Sequence, residues 1–354
     1  MLVRFGFVAM SMLLENASPS RTMTFANFTK LADREAALSK LERIAEDNLR
    51  STLRMLKHAK ASDIQMYRFS SKLIPLATHQ GVADWDAYPA LREAFREIGD
   101  FVQKNRMRVS FHPDHFCVFS TPRPEVLESS IRDMEYHVRM LEEMGLPESV
   151  KCNIHIGGAY GDKMVAGARF IRQFQALPER YRHRVTLEND DKTFNAVETL
   201  EAAQAVQVPM VLDVHHHLVN DGGVSLDKLC SSLWPQIAET WRLEEQRLNS
   251  EAADAANAAA GKDDTYEISL PPKIHFSSPK EGPNPRSHAD YLNADDLLLF
   301  LRKVAAATPQ LDCMLEAKLK DKALLALMDD FRMLADRGEG VRIVDDGSIE
   351  VTEL

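Results

Sequence analysis

The sequence predicts a single-domain α/β fold, a (β/α)8 TIM barrel, on three observations. Short β-branched or aromatic runs alternate with longer segments whose apolar residues recur every three or four positions. Eight such runs fit within 354 residues, a comfortable length for one barrel with insertions. Six of the runs are apolar in their body and close on His, Asp or Glu.

The runs, in order, are Arg4–Met10, Ile64–Phe69, Met107–His112, Lys151–Ile156, Arg184–Glu188, Met210–Asp213, Pro272–Phe276 and Leu311–Glu316. The first also has the outline of a short secretory apolar region behind Arg4, with Ala17 and Ser18 as a cleavage area. A buried strand is the better reading, because the stretch already holds a Gly and a Ser, and Glu15 and Asn16 close it. Helical spacing marks the intervening segments Glu125–Met144, Thr193–Ala205, Leu297–Ala307 and Lys322–Ala335. Trp241–Leu270, with its run EAADAANAAAGKDD, is polar and Ala-rich and is expected to be a helix extension plus a mobile insertion. The barrel domain is thus expected over 1–338, with 339–354 as a C-terminal tail.

Composition is that of an ordinary globular protein, 45% hydrophobic and 27% charged, with no apolar run near the ~20 residues of a membrane span. Cys117, Cys152, Cys230 and Cys313 are far apart and show no framework spacing, which suits a reducing cytoplasm. The net charge of −10 lacks the basic excess usual for non-specific DNA binding. A carboxylate cluster holding divalent metals would neutralise part of that charge locally.

The strand ends carry the chemistry. His112, His155, Glu188, Asp213, His275 and Glu316 each close a run, and in this fold the C-terminal rim of the strands is where active sites are built. A lone His or Glu at a strand end is more often structural; six at corresponding places are hard to explain as chance. Nitrogen and carboxylate ligands without Cys suit Zn²⁺, Mn²⁺, Fe²⁺ or Co²⁺. With His216 and His288 the candidates number eight, enough for two or three ions if a carboxylate bridges. Glu188 is the best bridge, being mid-order among the strands, and Asn189 is a candidate to orient it. In the DVHHH stretch, Asp213 ends the strand and the loop can return one of His215, His216 or His217, with His216 the choice. Closely spaced ions of this kind clamp the attacking and leaving oxygens of a phosphodiester.

The segments YRFSSKLIPLATH (67–79), SFHPDHF (110–116), NIHIGGAYGDK (153–163), LENDD (187–191), LDVHHH (212–217), PKIHFSSP (272–279), HADY (288–291) and LEAKLKDKAL (315–324) resemble the motif series of the UV damage endonuclease family. The opening RFGFVAM and ASPSRTMTF (17–25) resemble its first strand and loop. The resemblance implies a barrel related in plan to endonuclease IV, with a three-metal site, commonly manganese; Zn²⁺, Co²⁺ and Mg²⁺ are alternatives. It implies ATP-independent incision of double-stranded DNA immediately 5′ to pyrimidine dimers and 6-4 photoproducts. By matching positions, His112, His155 and Glu188 would hold one ion, Glu188, Asp213, His275 and Glu316 the second, and His216 and His288 the third. Lys273, two residues before His275 and so on the same side of its strand, matches a carboxylated lysine. His79 matches a histidine near the scissile phosphate.

Two positions depart from the family pattern. The damage-probing pair is Gln-Tyr in some members and His115-Phe116 here, which keeps a wedge and changes its hydrogen-bonding partner. In the first strand, Phe7 keeps an aromatic and loses a hydroxyl. The competing expectations are a metal-dependent sugar isomerase or epimerase on the same plan and an abasic-site endonuclease. The extra ligands His216 and His288 and the aromatic loop around Phe116 favour a long polymer substrate, cut by a monomer.

Overall fold

Each of the eight expected runs forms a strand: β1 (Leu2–Val8), β2 (Met66–Arg68), β3 (Arg108–Phe111), β4 (Lys151–His155), β5 (Val185–Glu188), β6 (Met210–Asp213), β7 (Lys273–Phe276) and β8 (Gln310–Leu315). The structure is a computed structural model, and it describes residues 1–114, 116–258 and 267–352. Each strand pairs in parallel with the next, and β1 pairs with both β8 and β2, so the sheet closes into a barrel. One long helix follows each strand: α1 (Arg34–Ala61), α2 (Tyr88–Lys104), α3 (Pro124–Glu143), α4 (Lys163–Gln175), α5 (Ala196–Val206), α6 (Trp234–Ala258), α7 (Ala294–Val304) and α8 (Lys320–Asp336). Short polar residues start several of them. Asp33 accepts from the Glu35 N–H, Asn195 and Glu198 form a reciprocal capping box, and Asn293 accepts from the Asp296 N–H.

The two-residue period of a strand sorts side chains into two layers. On β1, Phe5 faces outward and stacks on Phe331 of α8 at 5.6 Å between centroids, while Arg4 faces inward and pairs with Asp312 of β8. Gly6 also faces inward, where a Cβ would come within 2.6 Å of the Met66 carbonyl oxygen, so no larger residue fits. Phe7 has the parity of Phe5. It is 0% exposed and packs edge-on against Tyr67 at 5.4 Å, in the layer between strands and helices. This corrects the expectation that Phe7 contacts a lesion: its parity directs it to the core.

The lower interior of the barrel is closed by charge rather than by an apolar plug. Asp312 is fully buried and accepts from Arg4 Nε and Nη2 at 2.7 Å and from Arg108 Nη1 at 2.5 Å. The Arg108 guanidinium also lies 4.9 Å from the Trp241 ring, whose Nε1 donates to the Met210 carbonyl at 2.6 Å. Trp241, Leu248 and Leu270 form a small apolar cluster with Val211. The stretch 241–270 therefore packs on the base of the barrel at both its ends; its first part continues α6 to Ala258, as a helix extension should, and residues 259–266 of the expected insertion lie outside the described residues.

The segment expected as a tail, 339–354, carries an antiparallel hairpin, β9 (Val341–Asp345) and β10 (Ser348–Val351). β10 pairs antiparallel with Leu2–Arg4 of β1. The cause is geometric: β2 pairs with β1 only over Gly6–Val8, which leaves the lower half of β1 an open edge for the hairpin to cover. Gly347 sits at the turn, where a Cβ would come within 2.6 Å of the Asp63 carbonyl oxygen.

Candidate metal centre

The interior-facing parity that buries Arg4 and Asp312 at the base brings polar side chains into the barrel mouth. Of the eight expected ligands, six fall into two groups whose donor atoms lie within 4.8 Å of one another: His112, His155 and Glu188, and Glu188, Asp213, His275 and Glu316. Glu188, 1% exposed, belongs to both, as a bridge must. His216 joins the edge of the cluster, its Nδ1 3.5 Å from Glu188 Oε1 and 3.6 Å from Asp213 Oδ2. His288 stands further out, its Nδ1 3.8 Å from Glu316 Oε2 and its ring 6.4 Å from that of His216.

Local structure explains how His216 returns to the site. Asp213 ends β6 and its Oδ1 accepts from the His216 N–H at 2.7 Å, capping the short helix Val214–Val219 and turning His216 back over the strand end. Its neighbours face elsewhere. His215 bonds Ser277 Oγ at 2.6 Å and the Pro285 carbonyl at 2.7 Å, tying down the loop after β7, and His217 is buried away from the cluster.

The ring nitrogens are set by their second contacts. A carbonyl only accepts, so Nδ1 must be the protonated donor where it meets one. This holds for His112 with Pro113 O at 3.0 Å, His155 with Glu188 O at 3.2 Å, His216 with Asn189 O at 2.9 Å and His288 with Glu316 O at 2.8 Å. Each leaves Nε2 as the nitrogen available to a metal. His275 differs: its Nδ1 lies 3.1 Å from Oε1 of both Glu188 and Glu316 yet makes no hydrogen bond among the described residues. Glu188 Oε1 and Asp213 Oδ2 are likewise buried and without a hydrogen-bond partner there. Buried acceptors facing one another at this range are costly without a positive charge between them, so the residues present fit a divalent cation.

Electrostatics agree. Burial together with Glu188 and Glu316 pushes the Asp213 carboxyl well above its ordinary range, against the pull of His216. Burial opposes ionisation of Glu188, but His275, His155 and His112 around it outweigh that and hold its carboxyl well below that range. Glu316 is held down against burial by Arg68, whose Nη1 donates to Oε1 at 2.5 Å, and by His275. Burial lowers His275 to about 4. His216 rises to about 9 despite burial, because Asp213 and Glu188 face it. Three carboxyl groups share one buried space, an arrangement that suits a cation.

Several residues that shape the site were not singled out from sequence. Asn153, two residues before His155, donates from Nδ2 to Glu188 Oε2 and accepts from Thr186 Oγ1 at 2.8 Å. It orients the bridge, the role expected of Asn189. Asn189 instead clamps β5 to β6, its amide exchanging two 2.9 Å bonds with the backbone of Asp213. Ser110, two before His112, accepts from Lys273 Nζ at 2.9 Å. Lys273 is buried, and burial, Arg108 and Arg68 lower its ammonium to about 7. The signal for these was available: the position two residues below each strand-end ligand faces the same interior.

Two expected residues stand apart from the cluster. His79 is exposed, accepts from the Gly81 N–H at 3.0 Å and stacks on Phe25 at 4.1 Å, so in this structure it starts a turn and belongs to neither ligand group. Phe116 is 72% exposed and so is not part of the core. The buried Ser130 hydroxyl holds the backbone of its loop, accepting from the Val118 N–H at 3.0 Å and donating towards the Phe116 and Val118 carbonyls. His115 lies outside the described residues.

A family model described as UV-endonuclease UvdE matches residues 3–345. The chain belongs to that family. Among its relatives, the UV DNA damage endonuclease of Bacillus pumilus is 39% identical over 351 residues, covering 99% of each chain. That of Halalkalibacterium halodurans is 37% identical over 351 residues, again covering 99% of each. Among solved structures, SacUVDE superposes with a TM-score of 0.74 at 26% identity, covering 95% of this chain and 99% of that one. Endonuclease IV from Thermus thermophilus superposes at 0.50 with 12% identity, covering 94% of this chain and 99% of that one, a likeness of fold alone. Membership in the UvdE family sets aside the sugar isomerase and epimerase expectation. Among the described residues, no helix is long and apolar enough to cross a membrane.

Proposed function

We propose that this protein is a DNA repair endonuclease that hydrolyses one phosphodiester bond immediately 5′ to UV photoproducts in double-stranded DNA, without ATP. Pyrimidine dimers, 6-4 photoproducts and abasic sites are its proposed substrates. The observation that carries the reading is Glu188, a buried carboxylate shared by two ligand groups, within a chain matched almost end to end by the UvdE family.

The proposed cofactor is Mn²⁺, in two or three ions. His112, His155 and Glu188 would hold one, Glu188, Asp213, His275 and Glu316 the second, and His216 and His288 a third. Bound there, the ions would supply Lewis-acid stabilisation of charge on the phosphate and lower the pKa of a bound water. The protein's own part is orientation and exclusion of bulk solvent. Nδ1–H to carbonyl bonds fix four imidazoles with Nε2 inward, and the Asn153 amide holds Glu188 Oε2. Arg68 steadies Glu316. Lys273, whose ammonium is lowered to about 7 chiefly by burial, is placed to take up carbon dioxide as a carbamate with loss of a proton, adding an anionic oxygen beside the ligands. His79 and the loop of His115 and Phe116 are proposed DNA contacts, the second as a wedge that probes the base stack. The protein is proposed to act as a monomer in a reducing cytoplasm, in keeping with four buried, unpaired cysteines.

The test is incubation with Mn²⁺ and an end-labelled duplex carrying one 6-4 photoproduct, with the ends sized at single-nucleotide resolution. Cleavage directly 5′ to the lesion is expected; cleavage elsewhere, or equal cleavage of undamaged duplex, would reject the reading.

A further inference from the structure

The rim of the barrel carries two cationic side chains whose charge the protein leaves largely open. Arg68 ends β2; apart from the Nη1 bond to Glu316, its guanidinium has no hydrogen-bond or ion-pair partner among the described residues. Lys320 opens α8, four residues beyond Glu316, and is half-buried. Its ammonium makes no hydrogen bond and no ion pair with any described residue. Its backbone lies at φ 50, a left-handed conformation uncommon for a residue with a Cβ. The charged groups that act on it are Arg68 and Glu316: burial and Arg68 press its ammonium below the ordinary lysine value, and only Glu316 opposes them.

A half-buried lysine normally finds a carboxylate. Here Glu316, the carboxylate that acts on it, is already bonded to Arg68 and is also a member of a metal-ligand group. Arg68 bonds Glu316 and Lys320 opens the helix four residues further on, so two cationic groups border a site whose residues fit cations, and they leave a local positive excess for an anion to satisfy. The donors are of complementary kinds: a planar guanidinium with directed N–H groups, and a compact ammonium that acts as a point charge.

We propose that Arg68 and Lys320 form a phosphodiester-binding subsite at the β8–α8 edge of the metal centre, seating a backbone phosphate beside the one that is cut. The proposal rests on the DNA endonuclease reading and adds the residues that position the strand. Arg68 steadies Glu316 as well as the phosphate, so Lys320 is the clean probe.

The experiment is equilibrium binding of a fluorescein-labelled undamaged duplex across a salt series at constant divalent-ion concentration. Wild-type protein, Lys320→Gln, Lys320→Arg and a control, Lys40→Gln on the exposed face of α1, are compared. The logarithm of the binding constant should fall linearly with the logarithm of salt concentration, and Lys320→Gln should bind more weakly with a slope shallower by about 0.9, the loss of one neutralised phosphate. Lys320→Arg and Lys40→Gln should keep the wild-type slope. A Lys320→Gln slope equal to wild type, whatever the affinity, overturns the subsite, because a packing role changes affinity without changing counterion release. Wild-type protein that fails to bind duplex DNA in a salt-dependent way overturns the endonuclease reading and the subsite together.

Discussion

Replacing Asn153 by Leu tests whether the bridge is held in place from below. Asn153 is 1% exposed; its amide donates to Glu188 Oε2 and accepts from Thr186 Oγ1. Leucine keeps the volume and removes both bonds. Glu188 Oε2 then loses its amide donor, and the buried Thr186 hydroxyl loses its acceptor. A lost hydrogen bond to a charged group is worth roughly 1.5–3 kcal/mol, which corresponds to ~10–150-fold in an equilibrium constant. Partners of metal ligands commonly cost 10–100-fold in metal affinity when removed, so the two routes agree. The assay is Mn²⁺ titration by calorimetry, alongside nicking of UV-irradiated plasmid measured as a function of Mn²⁺. The expected outcome is a Mn²⁺ midpoint shifted upward by about 10–100-fold, with nicking recovering at saturating metal. An unchanged midpoint with a lowered maximal rate would refute the claim that Asn153 acts through Glu188.

Three further outcomes are expected. Lys273 should carry a carbamate in crystals of metal-loaded protein grown near neutral pH with bicarbonate; density for a bare ammonium would reject it. Phe116→Ala should melt like wild type and bind Mn²⁺ normally, yet lose at least ~10-fold of its incision at dimers, since unstacking a normal step costs a few kcal/mol. It should lose less at abasic sites, and an equal loss on both would sink the wedge. Truncation after Gly338 removes the hairpin with its buried Val341, Ile349 and Val351. At roughly 2 kcal/mol for each buried side chain, that is a large part of a typical ~5–15 kcal/mol stability. A sharply lower melting temperature or association through the exposed β1 edge is expected, whereas wild-type melting would show the hairpin to be dispensable.

What the sequence disclosed divides along physical lines. Strand ends closing on His, Asp or Glu combine local periodicity with ligand chemistry, and those two signals place His112, His155, Glu188, Asp213, His275 and Glu316 in one pocket without knowledge of tertiary contacts. Asn153, Ser110 and Arg68 escaped because they have no metal-ligand chemistry; only the two-residue parity marks them, and the expectation applied that rule to Lys273 alone. Phe7 shows the converse, since the same parity, followed along β1 from Phe5, assigns it to the core. The C-terminal hairpin was legible in part: Val341, Ile343 and the Asp346-Gly347 turn fit a hairpin pattern. Its need was not, because the open lower edge of β1 follows from the stagger between β1 and β2. His79 and Phe116 turn on loop geometry, which periodicity does not reach.

The most direct test of the central claim compares wild-type protein with Glu188→Gln on UV-irradiated supercoiled plasmid, with Mn²⁺ and without ATP. The substitution removes the one charge shared by both ligand groups while keeping side-chain volume. Wild type is expected to nick irradiated plasmid and spare unirradiated plasmid, and Glu188→Gln, folded by circular dichroism, to nick neither. Near-wild-type nicking by Glu188→Gln would contradict a catalytic centre built around that carboxylate.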